Sequence, residues 1–246
     1  MSASRINNSN SKEYHPGKGI ILPIVVGAAG LFTTAYIAYL LQTGLLTLLT
    51  ISTYKVVNFT FTMQLYILPL SFAGLFFLFI YDRNSFRSFF RFRLNTGEGN
   101  GSAWQTLGPV LAIAFTIGTA MLMSFNVGAN HGTINDTFFK LVPLVILFAA
   151  TNAWTEEILS RFVIVAGLSG KIRPAVICWI SAVTFGIPHF FGTPSGLFGV
   201  VMSGLLGWLL AKSVIETKSL GWALFIHFLQ DLIIFGAGAM IIAGST

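Results

Sequence analysis

Residues 147–168 read LFAATNAWTEEILSRFVIVAGL, an apolar run of membrane-spanning length interrupted by Glu156, Glu157 and Arg161. About 20 apolar residues cross a bilayer as a helix. Charge at that depth is costly, and where it occurs it usually faces a protein interior and serves a function. Two further apolar runs repeat the feature. AVTFGIPHFFG (182–192) carries His189 with Phe185 four residues before it, and WALFIHFLQDLIIF (222–235) carries His227 and Asp231. Three helices bearing ionisable groups imply a polar site built inside a bilayer.

The composition agrees. The chain has 246 residues, 54% hydrophobic and 9% charged, with a mean hydropathy of +0.79. A soluble domain is about one quarter charged, so the fold class is all-α, a polytopic transmembrane helical bundle. Residues 1–18 form a polar tail, expected to be disordered. Residues 19–246 are expected to make one transmembrane domain, with a catalytic core in about 140–240. Cys178 is the only cysteine, which excludes disulfides within the chain and cysteine-based metal sites. No cleavable signal peptide is evident.

Seven spans are legible: Ile20–Leu41, Phe59–Tyr81, Leu107–Phe125, Val142–Leu168, Pro174–Phe190, Leu197–Ala211 and Leu220–Ile241. Leu45–Tyr54 is a shorter apolar stretch and leaves room for an eighth, re-entrant or interfacial piece. The Lys and Arg pattern sets orientation. Arg5, Lys12 and Lys18 precede the first span; Arg83, Arg87, Arg91 and Arg93 follow the second; Lys171 and Arg173 follow the fourth; Lys212 and Lys218 follow the sixth. Loops 126–137 and 191–196 have neither residue. The expectation is an integral protein of a prokaryotic cell membrane, N-terminus cytoplasmic and C-terminus external. The net charge of +6 is then membrane orientation, not nucleic-acid binding. Arg83, Arg87 and Arg91, with Phe86, Phe89 and Phe90 among them, suit an amphipathic helix at the interface, read chiefly as a topological anchor.

Spacing separates the two glutamates. Glu157 and Arg161 are four apart, share a helical face and suit an ion pair. Glu156 points about 100° away and is left for the site as a general-base candidate. At a rise of about 1.5 Å per residue, Glu156, His189, His227 and Asp231 fall roughly 20, 24, 12 and 18 Å from the inner helix ends, one band of depth. His227 and Asp231 share a face, and a carboxylate there can fix the histidine tautomer. Pro188 removes a backbone donor and kinks the fifth span. His15 and His131 receive no role.

The three patterns E-E-x-x-x-R, F-x-x-x-H and H-x-x-x-D, in this order on separate spans, resemble the CPBP (Abi) family. That family comprises CAAX proteases and bacteriocin-processing enzymes and includes the type II CAAX prenyl endopeptidases (Ras-converting enzyme). The resemblance covers about residues 140–240. It implies an intramembrane endopeptidase of the glutamic type, without cofactor. Glu156 and His189 would activate a water, and His227 and Asp231 would occupy the oxyanion-stabilising positions. Glu157, Arg161 and Phe185 would support them. The prenyl-protease members carry Asn at the last position. An amide donates to an oxyanion, whereas an ionised carboxylate repels it. Either Asp231 is protonated, or it orients His227 and leaves the oxyanion to that ring; the second reading is preferred. The implied partners are membrane lipid and a membrane-bound or lipidated peptide or protein. The rival readings are a zinc-dependent use of the same N/O ligand set, a non-enzymatic bacteriocin-immunity or scaffold protein, and a proton-coupled transporter.

Overall fold

A computed structural model of the protein describes residues 19–94 and 103–246. The polar tail with His15 lies outside the described residues. The described chain is all helical: α1 (Ile21–Gln42), α2 (Lys55–Tyr81), the short α3 (Arg83–Phe89), α4 (Trp104–Ala129), α5 (Asp136–Glu157), α6 (Pro174–Gly186), α7 (Gly196–Thr217) and α8 (Gly221–Gly244). Seven of these runs are long and apolar enough to cross a membrane, α5 counting together with its continuation to Ala166 and α6 with its continuation to Phe191. The protein is an integral membrane protein. In lipid, a helix satisfies its own backbone groups, which is why the apolar runs fold this way. The outward faces carry large apolar side chains. Phe76, Ile113 and Phe125 are 65%, 61% and 76% exposed, an inversion of the soluble pattern.

Leu45–Tyr54 is not an eighth span. It is an irregular loop folded back on the start of α2. Its backbone N–H groups at Ile51 and Ser52 both donate to Asn58 Oδ1, each at 2.9 Å, and Leu49 N donates to Thr62 Oγ1 at 2.9 Å. Polar side chains one turn apart on α2 thus replace the hydrogen bonds a helix would have made. The amphipathic expectation after the second span is met in part. α3 is a helix of seven residues, but its aromatic face turns inward: Phe86 and Phe90 pack on Phe162, ring centroids 5.2 and 5.3 Å away.

At its centre the bundle departs from regular α geometry. After Glu157 the chain widens into a π-helix, Ile158–Ala166, all nine residues of which are buried. Such segments are rare and concentrate at functional sites. α1, α2, α3, α6 and α7 all pack on it. The packing is close because small residues face it. A Cβ on Gly27 of α1 would lie 2.3 Å from Ile164 Cγ1 and 2.7 Å from the Leu159 carbonyl oxygen. Without a hydrophobic drive between helices in lipid, such close backbone approach is the main source of association.

Three loops meet at one end of the bundle. Lys171 Nζ lies 3.3 Å from Asp82 Oδ2, and Lys218 Nζ donates to Ser169 Oγ at 3.1 Å. Ser219 Oγ donates to the carbonyl oxygens of Arg91 and Arg93, at 3.0 and 2.8 Å. Partial burial pushes the Asp82 carboxyl up, but the Ser85 N–H and hydroxyl, with Lys171, outweigh it and hold it below its ordinary value. At the other end, Thr133 N donates to Met240 O and Asn135 Nδ2 to Ala243 O, both at 2.9 Å.

Gly27→Ala should lower the thermal stability of the detergent-purified protein, because overpacking of this kind costs about 1–3 kcal/mol. Gly128→Ala, with open space at its Cβ position, should leave the melting curve in place. Melting curves of the two variants check this; indistinguishable curves would refute the close-packing account.

Candidate active site

α5 carries the centre of the site. Asn152 and Glu156, one turn apart, line a cavity between the helices, whereas Glu157 faces the packed core at 0% exposure. The division between the two glutamates follows the helical spacing. Glu157 Oε2 lies 3.2 Å from Arg161 Nε, both side chains fully buried. This is an ion contact rather than an aligned hydrogen bond, since neither atom meets hydrogen-bond geometry. Nη1 of the guanidinium donates to Ser160 Oγ, and the ring of Phe185 lies against it, its centroid 4.2 Å from Cζ. A buried cation needs such partners because desolvation costs several kcal/mol per ion.

α6 ends at Gly186 and passes into a 3-10 turn, Ile187–Phe191, as expected from Pro188. The turn swings His189 toward α5. Its Nδ1 lies 2.8 Å from the Phe185 carbonyl oxygen. A carbonyl only accepts, so Nδ1 carries the hydrogen, and in the neutral ring Nε2 is the acceptor. That nitrogen lies 3.9 Å from Glu156 Oε2. Phe185 stacks obliquely on His189, with centroids 4.6 Å apart, and meets His227 edge-on at 5.7 Å. One phenyl ring therefore packs against both imidazoles and the buried guanidinium.

α8 packs against α5 and supplies His227 and Asp231. His227 Nε2 lies 3.6 Å from Glu156 Oε2 and 3.6 Å from Asp231 Oδ2, both beyond hydrogen-bond reach. The carboxylate that orients His227 is Glu157, whose Oε1 lies 2.8 Å from Nδ1. Asp231 stands at ion-pair distance from Nε2 on the same helix but makes no hydrogen bond to it. The ring also reaches across the α5–α8 interface, where its other nitrogen is taken by Glu157. Asp231 accepts from Asn152 Nδ2 at 3.1 Å, and the same amide reaches Glu156 Oε1 at 3.3 Å. Gln64 Nε2 of α2 donates to Asn152 Oδ1 at 3.4 Å, which fixes the amide orientation.

Glu156, His189, His227 and Asp231 thus converge on the wall of one cavity of about 830 Å³. Glu157 and Arg161 lie behind the wall; Phe185 forms part of it. Asn152 and Gln64 are additions to the residues read from sequence. Asn152 stands one turn before Glu156, so the i,i+4 rule could have found it; nothing local marks Gln64. Among the described residues, no three His, Cys, Asp or Glu side chains are grouped so as to hold a metal ion. His131 follows the end of α4 and is not among the residues lining the cavity.

Residues 138–233 match the protein family described as Type II CAAX prenyl endopeptidase Rce1-like. The chain is related to the CAAX proteases. The matched segment runs from the first turn of α5 into α8 and contains all seven residues singled out from the sequence motifs. The relation carries the general class, an intramembrane protease of the CAAX type. Among curated proteins and among solved structures, nothing matches the chain.

The Glu157–Arg161 contact generates a paired prediction. Glu157→Gln should lower the amount of folded protein, since breaking a buried pair by removing one partner costs about 3–5 kcal/mol. Adding Arg161→Met should restore much of it by removing the orphaned charge. Quantitative blots of membrane fractions for the single and double variants make the comparison; a double variant no more abundant than the single one would show that the pairing does not hold the fold.

Proposed function

We propose that this protein is an intramembrane endopeptidase of the glutamic type, cutting a membrane-bound or lipidated peptide or protein. The reading is carried by one observation: a carboxylate and two imidazole Nε2 atoms, the latter 3.9 and 3.6 Å from Glu156 Oε2, share a cavity at membrane depth. Glu156 takes a proton from water while the His189 Nε2 lone pair holds the second hydrogen. The resulting hydroxide adds to the scissile carbonyl carbon, and the carbonyl oxygen becomes an oxyanion. Collapse breaks the C–N bond, and the proton held on Glu156 passes to the leaving amine.

His227 stands to stabilise the oxyanion. Its Nδ1 hydrogen is committed to Glu157, so donation from Nε2 requires the imidazolium, in which both nitrogens donate. Asp231 acts through Asn152. It fixes the amide that also contacts Glu156, and so sets the direction of the base rather than touching the oxyanion. The mechanism needs no cofactor.

The orientation belongs to the same proposal. The N-terminus lies in the cytoplasm and Thr246 outside, because the basic loops gather at one end and seven spans are odd in number. A reporter active only outside the cell should work when fused after Thr246; a fusion reading as cytoplasmic would reverse the assignment.

Glu156→Gln keeps the volume of the side chain and removes the base. It should insert normally and lose about 10²–10⁴ in cleavage rate, the usual contribution of a positioned acid–base group. Comparative peptidomics of cells carrying the wild-type or the Glu156→Gln protein would reveal substrates as peptides present in one and absent in the other. Identical peptidomes would reject the protease in favour of a non-enzymatic membrane role. Loss of wild-type cleavage on titration with a chelator would replace the metal-free mechanism by a metal-dependent one.

A further inference from the structure

We infer that the cavity takes its substrate from the face of the membrane opposite the basic loops, the extracytoplasmic face, so that the substrate is a membrane-anchored polypeptide with its cleavage segment on that side. The inference rests on the proposed peptidase reading for the word substrate, and on the cavity's geometry with the proposed orientation of the basic loops for the side.

The cavity reaches one end of the bundle and stops short of the other. Its lining includes nothing from residues 65–110, 157–184 or 207–226. Those stretches contain Arg83, Arg87, Arg91, Arg93, Lys171, Arg173, Lys212 and Lys218, the residues of the clamped end. Below the cluster, that end is filled by the largest apolar core of the protein. Leu78, Phe89, Trp104, Phe162 and Trp222 belong to it, all 5% exposed or less. Trp222 Nε1 donates to the Leu94 carbonyl oxygen at 2.9 Å, and Trp104 Nε1 to Glu216 Oε2 at 2.7 Å. Both indoles are thereby tied across the base of the bundle. A polypeptide has no path to Glu156 from this end without dismantling the core.

Toward the other end, the lining climbs. It includes Gln42 in the last turn of α1, Phe59 near the start of α2, Phe125 near the end of α4, and the turn from Phe191 to Pro194. Lys55 and Lys140 are the only Lys or Arg of the described residues toward that end. Phe125, Phe191 and Phe198 at the rim are 76%, 79% and 54% exposed. An apolar rim suits a chain already held in the membrane rather than a free hydrophilic peptide. With the basic end inside, the end the cavity reaches faces outward.

The side can be read without any cleavage. In a Cys178→Ser background, single cysteines are placed by Thr193→Cys at the rim, Ser203→Cys on the cavity wall and Arg87→Cys at the basic end. Intact bacterial cells are treated with a membrane-impermeant maleimide, and the labelling is compared with that of inside-out vesicles. Thr193→Cys and Ser203→Cys should be labelled in intact cells, and Arg87→Cys only in the vesicles. Rim and wall cysteines labelled only in inside-out vesicles would overturn the inference. So would a wall cysteine that reacts from the inner side while the rim reacts from the outer. Failure of the peptidase reading would appear instead as unchanged peptidomes with this labelling pattern intact, so the two failures are separable. Where peptides do differ between wild type and Glu156→Gln, their parent proteins should be exported or anchored on the outer side; cytoplasmic parents would equally overturn the inference.

Discussion

A fully buried arginine in the middle of a membrane protein is the constraint on which the rest depends. Arg161 is fully buried, so the fold provides a carboxylate, a hydroxyl and an aromatic face within a few ångströms. Those partners come from α5, its π continuation and α6, and the contacts tie these elements together around the guanidinium. Glu157 is shared: one oxygen answers the guanidinium and the other holds His227 of α8. A single carboxylate thereby joins α5 to α8 and sets an imidazole beside Glu156. The structural charge pair and the reactive cluster are one network, not neighbours by accident.

Most of the architecture was legible because membrane physics is strict. The seven spans needed only length and hydropathy, and their ends differ from the expected ones by a few residues at most positions. The Glu157–Arg161 contact followed from i,i+4 spacing. What was not legible is tertiary. The bond from His227 to Glu157 joins residues 70 apart in sequence, and no local pattern distinguishes it from the i,i+4 alternative with Asp231. Leu45–Tyr54 looked like a membrane piece by hydropathy, and only the side-chain hydrogen bonds from Asn58 and Thr62 make it a loop.

The aspartate in the last motif changes meaning once Asn152 is seen. At the end of a pattern that elsewhere closes on an amide, a carboxylate reads as a missing donor. In the folded protein an amide stands beside it, supplied by a different helix and held from behind by Gln64. The donor type is present in the cluster although the motif position does not supply it.

The π-helical run after Glu157 has a consequence for how this chain tolerates length change. In an α-helix, deleting one residue rotates everything beyond it by about 100°. A π segment carries a surplus residue in its wider turn, so loss of one there would tighten the coil toward α geometry and be absorbed locally, the flanking stretches keeping their facing. The cavity-facing stripe of α5, Asn152 and Glu156 included, would stay turned toward α8. The nine buried residues Ile158–Ala166 are thus a slack turn between the reactive carboxylate and the packed end below it.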